Sequence, residues 1–134
     1  MAQNSAFSLA QTPVHLGLGA TVVRQEPFTG TPDWYAAYGA RHSSDGYDGR
    51  LVSLHSFNQP WTTWEMHPHG EELVGCVSGS IVLYQELDGA VRSVVLKPGE
   101  AIVNPRGVWH TADIAGSASA FFITAGVGTE LRPR

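Results

Sequence analysis

Five side chains with metal-ligand chemistry fall within eight positions: Glu65, His67, His69, Glu71 and Glu72. Imidazole nitrogens and carboxylate oxygens are the donors that hold Zn, Fe, Mn, Co and Ni. In an extended strand alternate residues share a face, so Glu65, His67 and His69 can point the same way. Pro68 and Gly70 interrupt the run and leave the direction of His69 open. Two registers are therefore available. In one, His67 and His69 form the ligand pair, and only Gly70 and Glu71 separate them from Glu72. In the other, Glu65 and His67 form the pair, and four residues precede Glu72. The short gap of the first register is tight for a chain that must reverse between ligands.

A buried set of carboxylates and imidazoles is costly without a cation, because its charges are desolvated and repel. Two glutamates and two neutral histidines balance a divalent ion and leave positions for water or substrate. Oxygen donors favour Mn, Fe or Zn over Cu.

Such a cluster needs strands and turns to aim it, and the rest of the chain reads that way. The 134 residues include 15 Gly and 8 Pro, which favours short strands over long helices. Strands are expected over residues 14–23, 51–57, 61–67, 72–77, 81–87, 91–96, 101–103, 109–114 and 118–125, with turn residues between them. Asp88-Gly89 is a hairpin signal. Thr31 as N-cap, Pro32 at the first helical position and Asp33 in the first turn predict a short helix from Trp34 to Arg41. Residues 1–13 read as an extended arm. Strands at this spacing predict an all-β sandwich or small barrel, in one domain over 1–134.

Composition narrows the function classes. Eight basic against twelve acidic residues give a net charge of −4. There is no basic cluster, so nucleic acid is not an expected partner. No run of about 18 apolar residues exists, so no membrane span is expected. The first residues lack a basic, then apolar, leader pattern. The single Cys76 cannot form an internal disulfide. A cytoplasmic protein is the resulting expectation.

Two stretches resemble the cupin family of double-sheet β-barrels. The second cupin motif is glycine, five residues, proline, any residue, glycine, two residues and histidine. It is matched at every spacing by Gly99, Pro105, Gly107 and His110. Ile114 stands where the family motif often ends in asparagine. The tail of the first motif is matched by Glu72 and Gly79, with six residues between them. The head departs from the usual histidine pair. Keeping the family's longer spacing puts Glu65 where the first histidine belongs, and this favours Glu65, His67, Glu72 and His110 as ligands. The set with His69 in place of Glu65 is the alternative.

The resemblance implies a jelly-roll barrel, or double-stranded β-helix, with its core over about 50–126 and one divalent Fe, Mn or Zn ion. It also implies enzyme chemistry. With iron that would be dioxygenase chemistry; with Zn or Mn, Lewis-acid isomerase or lyase chemistry, for which His69 or Glu71 could serve as general base. A regulatory cupin that binds metal or a small ligand is a third class. Exposed sheet edges and the N-terminal arm predict a homodimer. His15 and His42 read as ordinary core or surface residues, and His55 as a candidate for lining the barrel cavity.

Overall fold

Apolar residues alternate between Gly- and Pro-rich turns, and they fold as strands. In the computed structural model, residues 5–134 are described. In chain order the elements are β1 (Val14–Gly17), β2 (Thr21–Arg24), α1 (Pro32–Arg41), β3 (Arg50–Phe57), β4 (Thr63–Met66), β5 (Glu72–Ser78), β6 (Ile81–Leu87), β7 (Ala90–Leu96), β8 (Ala101–Asn104), β9 (His110–Ile114), β10 (Ala118–Thr124) and β11 (Glu130–Pro133). A six-stranded sheet runs β2-β1-β3-β10-β5-β8, and a five-stranded sheet runs β11-β4-β9-β6-β7. Every pairing is antiparallel. This is the all-β jelly roll that the cupin resemblance implies, and α1 is the short helix that Thr31, Pro32 and Asp33 predict.

The inner faces of both sheets supply one core. Val74, Cys76, Ala118, Ala120 and Phe122 come from the larger sheet; Ile81, Leu83, Leu96, Ala112 and Ile114 come from the smaller. Alternate residues of each strand enter this core, as the two-residue period requires. The same alternation later sends polar residues inward at one end of the barrel.

Two segments differ from the sequence expectation. Residues 14–23 are not one strand but a hairpin, β1 and β2, that pairs Gly17 with Thr21. The chain turns at Leu18-Gly19-Ala20, where Gly19 and Ala20 take φ of 74° and 59°. β11 is an addition. Its four residues, Glu-Leu-Arg-Pro, are mostly exposed, so no buried alternation marks them. They become a strand only because β4 offers an open edge. Of the expected N-terminal arm, residues 1–4 lie outside the described residues.

α1 starts as its capping residues require. Thr31 accepts a hydrogen bond from the Trp34 N–H at 3.3 Å, Pro32 opens the helix and Asp33 sits in the first turn. Trp34 is buried and donates its indole N–H to the Glu26 carbonyl. The helix is tied to the sheet through His15 of β1, which is 3% exposed. Its two ring nitrogens lie 2.6 Å from the Tyr38 hydroxyl and 2.6 Å from the Asp45 carboxylate. The His42 ring stacks on it at 3.8 Å.

Candidate metal centre

Strand register brings the acidic and histidine residues together at one end of the barrel. β4 pairs with β9 so that Glu65 stands opposite His110. Glu72, the first residue of β5, is flanked by Asn104 of β8 and Thr124 of β10. His67 follows β4 directly. The turn that precedes His110 is docked on it: the Gly107 N–H donates to the His67 carbonyl at 2.9 Å. Gly107 makes this turn with φ of 75°, a conformation that costs glycine little. The two motif segments are thus joined by backbone before any ligand atom is considered.

The side chains converge. His67 Nε2 lies 3.2 Å from Glu72 Oε2, and His110 Nε2 lies 3.1 Å from Glu72 Oε1. Glu65 Oε2 is 3.9 Å from His110 Nε2. The ligand atoms of Glu65, His67 and His110 all lie within 4.8 Å of one another. The side chains of His67, Glu72 and His110 are 6%, 4% and 0% exposed, whereas that of Glu65 is 34% exposed. Three donors are therefore sealed in, and Glu65 stands at the opening.

The tautomers follow from the neighbours. Thr129 donates its hydroxyl hydrogen to the Gly126 carbonyl at 2.8 Å, so its oxygen accepts from His67 Nδ1–H at 2.8 Å. His110 Nδ1–H donates to the Val108 carbonyl at 3.3 Å. In the neutral rings both Nε2 atoms then carry lone pairs. Both are buried and form no hydrogen bond, although each sits just over 3 Å from a carboxylate oxygen. A lone pair facing a carboxylate is repulsive unless a cation or a proton lies between them. The donor set fits a divalent metal, with each ring oriented through its far nitrogen as metal-ligating histidines are.

Glu72 is held just as firmly. Asn104 donates to Oε1 at 3.0 Å and Thr124 to Oε2 at 2.6 Å. Gln85, itself buried, donates to Asn104 Oδ1 at 2.8 Å and to the Val103 carbonyl at 2.9 Å. Each carboxylate oxygen keeps a further lone pair for a metal. Burial opposes ionisation of Glu72, yet the contacts from His110 and His67 hold its carboxyl well below the usual carboxylate range. Burial, then the neighbouring Glu72 charge, raises the Glu65 carboxyl above its ordinary value. Burial lowers the His110 imidazole, but contact with Glu72 more than reverses this, and its net shift is upward.

A pH prediction follows. Metal and protons compete for the same atoms. Raised values at Glu65 and His110 mean that both keep protons to higher pH than usual in the metal-free protein. Metal affinity should therefore fall as pH drops through the mildly acidic range, and loading there should release protons. Calorimetry in two buffers of different ionisation enthalpy measures the release; identical heats in both would contradict it.

The other candidates named from sequence lie elsewhere. The His69 ring stacks on Tyr47, with centroids 4.0 Å apart and planes 15° from parallel. Glu71 is exposed. Neither belongs to the converging group. The two registers are separated by a pair of substitutions. Glu65→Gln is expected to lower metal content, and His69→Gln to leave it unchanged. Metal analysis of the two purified variants reads this directly, and the opposite pattern would transfer the fourth ligand to His69.

A second cluster, His15, His42 and Asp45, also brings its ligand atoms within 4.8 Å. Its chemistry is different. His15 is engaged at both nitrogens, and His42 Nε2 contacts Gln25 Nε2 at 2.9 Å. These groups satisfy one another and hold α1 to β1.

Sequence reasoning missed Gln85, Asn104, Thr124 and Thr129. Asn104 read as turn chemistry and Thr124 as an ordinary strand residue. Nothing local marks either as a partner of Glu72, because their contacts span 32 and 52 residues.

The family model described as "Cupin domain" matches residues 58–126, a little over half of the chain. No curated protein matches it significantly. Solved structures of similar fold include a cupin-2 domain protein from Shewanella frigidimarina, 20% identical, covering 63% of this chain and 71% of that one with a TM-score of 0.48. A cupin superfamily protein from Desulfitobacterium hafniense is 21% identical, covering 56% and 65% with a TM-score of 0.49. An oxalate oxidase is 20% identical, covering 60% of this chain and 44% of its own with a TM-score of 0.52. At these identities the likeness concerns the fold.

Proposed function

The chain belongs to the cupin family, and from that premise we propose that it is a mononuclear metal enzyme acting on a small molecule, with dioxygenase-type oxidoreductase chemistry. One observation carries this reading: two buried histidine Nε2 atoms without hydrogen bonds converge on one buried carboxylate, that of Glu72. Two histidines and a carboxylate with open positions are the donor set of non-haem iron oxygenases. Glu65 completes the proposed set as a fourth ligand at the opening.

When bound, a divalent ion would supply a Lewis-acid centre and, as iron, the redox equivalents for oxygen chemistry. The chain's own residues supply the rest. Asn104 and Thr124 hold the Glu72 carboxylate in place by donating to its two oxygens. Thr129 and the Val108 carbonyl keep the Nε2 lone pairs of His67 and His110 turned to the centre. Glu65 stands partly open to solvent, where a substrate would enter.

A second reading uses the same donor set. With Zn or Mn the centre would act as a Lewis acid in an isomerase or lyase, for which His69 or Glu71 would be the general base. The deciding experiment is metal analysis of protein purified without a metal-binding tag, followed by O₂ uptake with catechols, diketones or thiols. Bound iron with substrate-dependent O₂ uptake is expected. Zinc or manganese with no O₂ uptake would favour the second reading. Metal with ligand binding but no turnover would indicate a regulatory cupin. No metal after reconstitution would overturn all three.

We further propose that two copies associate. β7 is an edge strand, and it exposes Val91 and Val95 at 56% and 53%. Light scattering should give twice the 14.4 kDa chain mass; a strictly monomeric mass would contradict the pairing.

A further inference from the structure

Trp61 lies between β3 and β4, next to the centre but not part of it. Its backbone is fully engaged: the N–H donates to the Ala112 carbonyl at 3.0 Å, and its carbonyl accepts from Arg134 at 2.8 Å. Its side chain is not. The indole Nε1–H is buried and has no acceptor in the protein. A buried donor without a partner is unfavourable and uncommon, and such donors mark places where a ligand or water completes the structure.

The surroundings of this donor are aromatic. The Trp61 ring sits 6.3 Å from the His110 ring in an edge-on arrangement, 5.7 Å from Phe57 and 6.0 Å from Phe122. Phe122 lies 5.7 Å from His55, and His55 lies 4.9 Å from Phe28, whose ring meets Tyr35 of α1 at 5.8 Å. An unbroken run of rings thus leads from the half-exposed Tyr35 to a proposed metal ligand. Phe122 is two residues from Thr124, which holds Glu72, so the run lies along the inner face that carries the centre. The cation–π contacts fall elsewhere, with Arg132 over Trp64 and Trp109 and Arg24 over Phe7. Burial lowers the His55 imidazole and favours its neutral form.

Flat rings bind flat rings by offset stacking and edge-on contact. A surface of aromatic rings with a neutral imidazole favours an uncharged guest, and one buried N–H selects a guest with an acceptor oxygen. We infer that the half-buried rings of this run, Trp61, Phe57 and His55, packed against the core ring of Phe122, are the substrate-binding surface, and that they take a neutral planar aromatic molecule whose carbonyl or hydroxyl oxygen accepts a hydrogen bond from Trp61 Nε1. The inference deepens the proposed enzyme reading and rests on it for the claim that the bound molecule reacts beside His110. The binding itself needs no metal.

The test uses acetophenone and cyclohexyl methyl ketone, which share the acceptor oxygen and differ in ring planarity. Each is titrated into ¹⁵N-labelled full-length protein, metal-free and metal-loaded, while the indole N–H signals of the four tryptophans are followed. Acetophenone is expected to shift the Trp61 signal selectively, and the saturated ketone to shift it far less. Trp61→Phe keeps a ring and removes the donor. It should bind acetophenone about tenfold more weakly, read from the Phe122 and Thr124 amide signals, as loss of one hydrogen bond implies. An unmoved Trp61 signal, equal responses to the two ketones, or undiminished affinity in the variant would each overturn the inference. The wild-type titration decides the matter if the variant does not fold. Protein that takes no metal yet shows the selective shift would refute the metal centre and leave this surface standing. Metal-loaded protein without the shift would do the reverse.

Discussion

Replacing His110 with alanine is expected to weaken metal binding at the proposed centre about a hundredfold. His110 is the one donor contributed by the second motif, and it has no exposed side-chain surface. Protein sites with four ligands bind structural zinc with roughly 10–16 kcal/mol. One ligand then carries about 3 kcal/mol, on the order of a hundredfold in affinity. The measurement is metal content after dialysis, paired with thermal denaturation. A ligand that binds only the folded state raises the melting temperature in proportion to the logarithm of its concentration. Wild-type protein should therefore melt higher with added iron or zinc, and His110→Ala should need about a hundredfold more metal for the same rise. Far-UV circular dichroism separates this from unfolding, because the gap left beside Trp61 and His67 costs some stability of its own. An unchanged metal affinity in a folded variant would show that His110 is not a ligand.

The largest effect on the fold is expected at Gly79, which turns the chain from β5 into β6. Its φ is +72°, in the left-handed region. A methyl group there would lie 2.2 Å from the Ser117 carbonyl oxygen and 2.8 Å from the Ala118 Cα. Both are backbone atoms, so a whole strand end has to move. The left-handed conformation costs an alanine roughly 1–2 kcal/mol, and forced overpacking typically adds about 1–3 kcal/mol. Gly79→Ala should therefore lose about 3 kcal/mol, which at this chain length lowers the melting temperature by roughly 10 °C. Gly89→Ala is the matched control. Its φ is +76°, but no atom lies within 4 Å of the added carbon. It should lose only about 1 kcal/mol. Equal losses in the two variants would show that the contact at Ser117 is relieved without cost.

These predictions differ in how much of their basis is local. Gly79 can be singled out from its spacing to Glu72. The clash that makes it irreplaceable involves Ser117, 38 positions away along the chain. His110 is legible from the turn residues ahead of it, yet its orientation depends on a backbone bond between Gly107 and His67. α1 was legible almost to the residue because its signals, Thr31, Pro32 and Asp33, act within one turn. β11 was not, because Glu130–Pro133 carries no buried alternation and owes its extended form to β4.

What the sequence by itself determined was the strand-and-turn scaffold, the single short helix and the place of His67, Glu72 and His110 in it. Side-chain period, capping and turn chemistry act over a few residues, so they can be read along the chain. Only the tertiary structure decided which neighbours of His67 share its surroundings. Strand register puts Glu65 opposite His110, while the turn at Pro68 sends His69 onto Tyr47. Only the tertiary structure, too, placed Asn104, Thr124 and Thr129 behind the ligand atoms and left the Trp61 N–H without a partner. The physical reason is common to all of these. Convergence of side chains is set by pairing between strands distant in sequence, and no local preference encodes that pairing.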